Sequence, residues 1–177
     1  SNASYILFFG LIRKYKGLDL LIDAFSIYQK KNKNAYLLIV GEFYENKNKY
    51  LRLINNLGLE NKVLLYPEFM DFDQARNFFC ASDCVAQTYR SASQSGVTPV
   101  AYHYGLPILV SNLNGLIKPI KNDDSGIITE INSTSIAKGL NEIFQPKTLK
   151  KFRKNIQSSR SNYSWKKFNQ QMIHFIE

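Results

Sequence analysis

Three cations, Arg13, Lys14 and Lys16, stand between Gly10 and Gly17 in the segment FFGLIRKYKG. An apolar run precedes them and a helical stripe follows, so they occupy a strand-to-helix loop. Side-chain charge, the helix dipole and free N–H groups at a helix start all favour an anion there. The loop lacks the Gly-Lys-Ser/Thr ending of a Walker A loop and is not G-x-G-x-x-G. Taken alone it also reads as three solvated cations on an exposed loop.

A second loop, Tyr89-Arg90-Ser91-Ala92-Ser93-Gln94-Ser95-Gly96, runs into a helix whose first turn must contain Pro99, where proline is tolerated. Ser95 is then expected near the N-cap. Gly96 would let a ligand approach the backbone, with the N–H groups of Gly96, Val97 and Thr98 expected to be free. An ordinary serine-capped helix is the plainer reading of that stretch. Two anion-friendly loops on one edge would together hold a diphosphate from two sides.

Other reactive residues suggest less. Cys80 and Cys84 read as small buried hydrophobes, His103 as a packing residue between Tyr102 and Tyr104, and Asp71 and Asp73 as helix caps. No Ser-His-Asp or Cys-His arrangement can be argued, and two histidines with two cysteines give no zinc spacing.

The elements that must position these loops follow from periodicity. Short apolar runs over residues 5–9, 36–40, 63–66, 84–88, 108–110 and 127–129 alternate with amphipathic stretches, the pattern of a parallel sheet covered by helices. Leu18, Leu21, Ile22, Phe25 and Tyr28 recur at helical spacing, as do Tyr50, Leu51, Ile54 and Leu57, with Gly58 as a C-terminal cap. Further helices are expected around Ala75, Phe78 and Phe79, over 97–104, over 136–144, and as two more in the last thirty residues. The fold class is therefore α/β, a Rossmann-like three-layer sandwich with about six parallel strands plus C-terminal helices. Right-handed crossovers would gather the loops 10–17, 41–47, 67–72, 89–95 and 111–115 at the carboxyl edge, where such folds bind ligands.

Composition sets the outer bounds. A chain of 177 residues, 45% hydrophobic and 21% charged, builds a packed core and excludes disorder as a class. No apolar run approaches a membrane span and no signal peptide opens the sequence. The expected compartment is cytoplasmic. Of the +9 net charge, +7 lies beyond residue 145, carried by six Lys and two Arg against one Glu. The tail, with Lys147, Lys150, Lys151, Arg153, Lys154, Lys166 and Lys167, reads either as a solvated face or as a peripheral contact with anionic lipid at the inner membrane face. Nucleic acid is not an expected partner, because neither an RNA-binding aromatic signature nor a zinc-finger spacing accompanies the charge.

Several strings in order, FFGLIRKYKGLDLLIDAF, LLIVGE, VLLYPEF with ASDCVAQTYRSASQSGV, and AYHYGLPILVSNLNGLIKPI with DDSGII, resemble the C-terminal, sugar-nucleotide-binding domain of the group 1 (family 4) retaining glycosyltransferases. The resemblance covers nearly the whole chain. It implies a GT-B enzyme with its active site between two Rossmann-like halves, of which residues 4–177 would be the donor half, with the acceptor half absent and Ser1, Asn2 and Ala3 a tag remnant. It also implies that Lys16, followed by Gly17, contacts the donor diphosphate. The family's Arg after the first Gly falls on Leu11, leaving Arg13 as the nearest replacement. Gly10 opens that loop, and Glu68 and Phe69 fall where the family borders the nucleobase. The paired glutamates of the family fall on Ala92 and Val100, so both carboxylates are missing, while the Ser95-Gly96-Val97 cradle remains.

The implied function is a hexosyltransferase-type donor domain that binds a nucleotide diphosphate sugar for retaining transfer to a glycan or lipid-linked acceptor in surface polysaccharide assembly. The donor is a substrate, and neither a cofactor nor a metal is implied. The isolated domain is expected to be inactive in transfer. The competing reading is a degenerate domain, without catalysis, kept for ligand sensing or protein contact.

Overall fold

The structure, a computed structural model, describes residues 3–163. Its strands are β1 (Ser4–Phe9), β2 (Ala35–Val40), β3 (Val63–Tyr66), β4 (Cys84–Gln87), β5 (Ile108–Ser111) and β6 (Gly126–Thr129). All five pairings are parallel, in the order β3-β2-β1-β4-β5-β6. The chain starts in the middle of the sheet, winds outward through β2 and β3, then returns to β4 beside β1. That reversal opens a crevice between the loops after β1 and β4, the topological switch point at which such sheets bind ligands.

The helices are α1 (Leu18–Gln29), α2 (Lys47–Asn56), α3 (Phe72–Ala81), α4 (Val97–His103), α5 (Asn114–Asp123), α6 (Ser133–Ile143) and α7 (Pro146–Ser159), with single-turn 3₁₀ segments at Lys14–Lys16 and Arg160–Tyr163. Period-2 alternation in the strands divides the core. Ile6, Phe8, Leu37 and Ile39 face the layer of α1 and α6, whereas Leu7, Leu38 and Val40 face the layer that supplies Phe79, Tyr102, Leu116 and Ile120. The central strands β2, β4 and β5 and the middle of β1 are buried on both faces, as their continuous apolar runs require, whereas the edge strand β3 exposes Leu64 and Tyr66.

Most expected elements stand within a residue or two of where periodicity puts them. Pro99 is the third residue of α4, Asp71 caps α3 in a capping box with Gln74, and Gly58, at φ 63°, lies just past α2. The sequence reading missed α5. Pro119 inside it argues against a helix, yet Leu116 and Ile120 bury one stripe of that helix and hold it to the sheet. Two further expectations are corrected. Cys80 is exposed, and only Cys84 is buried. His103 is also exposed, resting edge-on against Tyr104, because it faces away from the buried side of α4 that carries Ala101 and Tyr102.

Candidate functional site: the crevice at the switch point

The loop after β1 is shaped by contacts from the loop after β4, about seventy residues later. Thr88 Oγ1 donates to the carbonyls of Gly17 (3.0 Å) and Lys16 (3.4 Å). The Arg90 N–H donates to Tyr15 O at 2.6 Å, and Arg90 Nη1 donates to Lys14 O at 3.2 Å. Four successive carbonyls, residues 14 to 17, are thus held by two residues. Arg90 is itself fixed by a two-pronged pair with Asp19 in the first turn of α1, both contacts at 2.8 Å. Burial alone would raise the Asp19 carboxyl pKa, but the hydrogen bond and charge of Arg90 outweigh it and hold the group below its ordinary range.

Glycine makes this approach feasible. Gly17 is left-handed at φ 65°, and a Cβ there would lie 2.1 Å from Thr88 O. On the far side, Gly115 in α5 lies so close to the β4–α4 loop that a Cβ would meet Ser93 O at 2.2 Å.

The result is a cleft of about 280 Å³ lined by Phe9, Tyr15, Lys16, Tyr89, Gln94, Ser95, Gly96, Val97 and Val100. Lys16 is only 7% exposed. Its ammonium donates to Phe9 O at 3.4 Å and lies 5.6 Å from the Tyr89 ring centroid, with no carboxylate partner among the described residues. Burial, and then the positive charge of Arg13, push its pKa down to about 8. The group remains mostly protonated at neutral pH. Charge and spacing alone read as a solvated cation; the structure buries it because the four-carbonyl clamp turns the 3₁₀ segment inward over Gly10, where a Cβ would lie 2.9 Å from Nζ.

The opposite wall also differs from the expectation of three free N–H groups. The Val97 N–H donates to Ser95 Oγ at 3.3 Å and the Thr98 N–H to Ser95 O at 3.3 Å. Only the Gly96 N–H is unused among the described residues. Gly96 is the N-cap, with Ser95 directly before it, near the N-cap as expected. Ser95 Oγ also meets Tyr89 OH at 3.3 Å, and burial pushes that phenol up to about 12, so it stays protonated.

The sequence candidates therefore divide. Lys16, Ser95, Gly96, Val97 and Val100 share the cleft, and Gly17 holds its floor. Arg13 lines the neighbouring groove, its guanidinium 4.9 Å from the Tyr44 ring centroid. Phe69, 71% exposed, lines a small slot with Gly10 and Leu11 on the other flank, and Glu68 is exposed without lining either. Sequence reasoning missed Tyr89, Thr88, Arg90 and Asp19 as parts of the site. Nothing in local spacing signals a pairing between residues 19 and 90. Among the described residues no group of three His, Cys, Asp or Glu is placed to hold a metal ion, and no helix is long and apolar enough to cross a membrane.

Residues 1–159 match the family Glycosyl transferases group 1. The chain belongs to the group 1 glycosyltransferases. Among relatives of this family, the uncharacterized glycosyltransferase MJ1069 of Methanocaldococcus jannaschii is 25% identical over 170 residues, which covers 94% of this chain and 43% of the relative. A second uncharacterized glycosyltransferase of that organism, MJ1607, is 29% identical over 144 residues, covering 80% of this chain and 36% of its own. The chain thus spans less than half the length of these relatives. The same fold is seen in Anabaena Alr3699/HepE in complex with UDP, with a TM-score of 0.84 at 22% identity over 99% of this chain and 49% of that one. It recurs in the C-terminal domain of the group 1 protein LpcC from Francisella tularensis, at TM-score 0.81 and 20% identity over 92% and 87% of the two chains.

The buried ammonium makes a stability prediction. Below pH about 8 Lys16 is charged in both folded and unfolded chains and the burial penalty is fully present; above its unfolded value both are neutral and the penalty is gone. Lys16→Met is therefore expected to be more stable than the parent at pH 7, by at most about 3 kcal/mol. The gap should close between pH 8 and about 10.5. Urea denaturation of both chains across that range measures it, and a gap independent of pH would contradict the burial of a charged amine.

Proposed function

We propose that this chain is the donor-binding half of a hexosyltransferase-type enzyme of the GT-B architecture, taking a nucleotide diphosphate sugar for retaining transfer to a glycan or lipid-linked acceptor in surface polysaccharide assembly. The observation that supports this most is the convergence of Lys16, without a carboxylate partner, with the Ser95 hydroxyl and the Gly96 N–H in one cleft at the switch point. A diphosphate is the ligand that restores the charge balance of such a site. UDP in the HepE structure accords with a nucleotide diphosphate donor.

As the sugar leaves, negative charge accumulates on the diphosphate. Lys16 would neutralise it directly and Arg13 would add its field from the adjoining groove, with the Gly96 N–H and Ser95 hydroxyl as further donors. This is electrostatic stabilisation by groups already in place. No residue in the cleft is assigned acid–base work, so a general base would come from outside this chain. The isolated chain would bind donor and transfer no sugar, since positioning of two substrates in one cleft supplies much of such a rate.

The degenerate, non-catalytic reading draws on Ala92 and Val100. Val100 lines the cleft with an apolar side chain, so a ribose finds no carboxylate there. Lys16 weighs against it: a chain kept only for its surface has no use for a buried cation that lowers its stability.

Calorimetric titration with UDP and GDP tests the reading. Lys16→Ala is expected to weaken diphosphate binding by about 1.5 to 3 kcal/mol. Near pH 8 the parent chain should take up a proton on binding, because the anion raises the depressed Lys16 pKa. Unchanged affinity in the variant would reject the assignment.

Peripheral membrane contact through α7 belongs to the same proposal. Lys151 pairs with Asp124 and Arg153 with Asp83, whereas Lys147, Lys150 and Lys154 are exposed without a carboxylate partner among the described residues. Lys166 and Lys167, with the part of the expected C-terminal helices beyond residue 163, lie outside the described residues. Each free cation reaching an anionic surface contributes about 1 kcal/mol, so the chain should cosediment with anionic vesicles at low salt. Equal recovery with neutral vesicles would contradict this.

A further inference from the structure

A second, larger groove shares Tyr15 with the Lys16 cleft. It is an open groove of about 680 Å³ between the loops after β1, β2 and β4, lined by Arg13, Lys14, Tyr15, Tyr44, Glu45 and Arg90. Its volume and two tyrosine rings suit a ligand that lies along the surface, one face covered and the other in solvent. Tyr44 is 56% exposed and Tyr15 41% exposed, yet neither is loosely held. The Tyr44 N–H donates to Ile12 O at 3.0 Å, and the Tyr15 ring packs edge-on against Tyr89, with centroids 5.9 Å apart.

The charges in the groove are unevenly matched. Arg90 is fully engaged by Asp19. Glu45 accepts a 2.6 Å hydrogen bond from Tyr50 OH through one oxygen, leaving the other as an acceptor. Arg13 stacks on Tyr44, and neither it nor Lys14 has a carboxylate partner among the described residues. The groove thus offers two ring faces, one carboxylate oxygen and two unmatched cations.

From this inventory we propose that the groove binds an anionic saccharide unit, a sugar ring bearing a carboxylate or a phosphate, as an acceptor-side subsite; this rests on the donor reading above. The C–H face of a pyranose covers an exposed tyrosine ring, its hydroxyls donate to Glu45, and its anionic group meets Lys14 and Arg13. A bare phosphate would leave both rings uncovered and face the Glu45 carboxylate. A neutral sugar would leave both cations unmatched. Continuity through Tyr15 sets such a unit beside the diphosphate cleft, where an acceptor must lie to meet the donor sugar.

The test uses the 177-residue chain and follows amide chemical shifts during titration with a glucuronate-containing tetrasaccharide, a hexose 6-phosphate, a neutral glucose tetrasaccharide and a tetranucleotide. The variants are Tyr44→Ala and Lys14→Ala, with UDP affinity and circular dichroism measured on the same samples. Expected is binding of the carboxylate or the phosphate sugar in preference to the neutral one, with shifts at residues 13–15 and 44–45. Tyr44→Ala should weaken it about tenfold and Lys14→Ala about threefold, each loss exceeding any accompanying change in UDP affinity. Which anionic sugar binds distinguishes a uronate from a phosphorylated acceptor. No binding, equal binding of the neutral saccharide or the tetranucleotide, or unaltered affinity in both variants would overturn the subsite. If the parent chain bound the anionic sugar and not UDP, the donor reading would fall and the saccharide groove would stand.

Discussion

The Arg90–Asp19 pair is the constraint on which the crevice depends. A parallel sheet places the loops after β1 and β4 side by side, but leaves each free to adopt its own shape. Arg90 and Thr88 remove that freedom by taking up the carbonyls of residues 14, 15, 16 and 17 in succession. Asp19 in turn orients the guanidinium through both of its oxygens. A bidentate guanidinium–carboxylate pair fixes direction as well as distance, which a lysine in place of Arg90 would not do. Lys16 and Ser95 face one another because this pair, anchored in α1, closes the two loops together.

That closure has an energetic consequence. Turning the 3₁₀ segment inward buries an ammonium whose hydrogen-bond partner among the described residues is one peptide carbonyl at 3.4 Å. The cleft therefore holds a charge that the fold does not neutralise, which lowers stability and raises affinity for an anion through the same group. Sites built for binding commonly conflict with stability in this way. The arrangement on the opposite wall is more economical than helix-start arguments suggest, since Ser95 already uses the Val97 and Thr98 N–H groups and leaves Gly96 to a ligand.

The sheet was legible in the sequence because its strands, buried on both faces at the centre of the sheet, read as short apolar runs bounded by Gly and Pro. The edge at which loops would meet followed from handedness alone. α5 was hidden because Pro119 is a local signal against helix, whereas the packing of Leu116 and Ile120 that overrides it is tertiary. Lys16 could be found by position but not by depth, since charge and spacing are the same for a solvated lysine and a buried one. The clamp itself left no trace in the sequence: Asp19 reads as an acidic residue in a first helical turn and Arg90 as a loop cation, and only the fold brings them within 2.8 Å.

A double-mutant cycle on UDP affinity tests the central claim, that the clamp acts on the ligand through Lys16. Calorimetry would compare the parent chain, Asp19→Asn, Lys16→Met and the double variant, each shown to be folded. The account predicts that Asp19→Asn weakens UDP binding about tenfold when Lys16 is present and little when it is Met, a coupling of about 1 kcal/mol or more. Equal losses in both backgrounds would show that Asp19 and Lys16 act independently, and would contradict it.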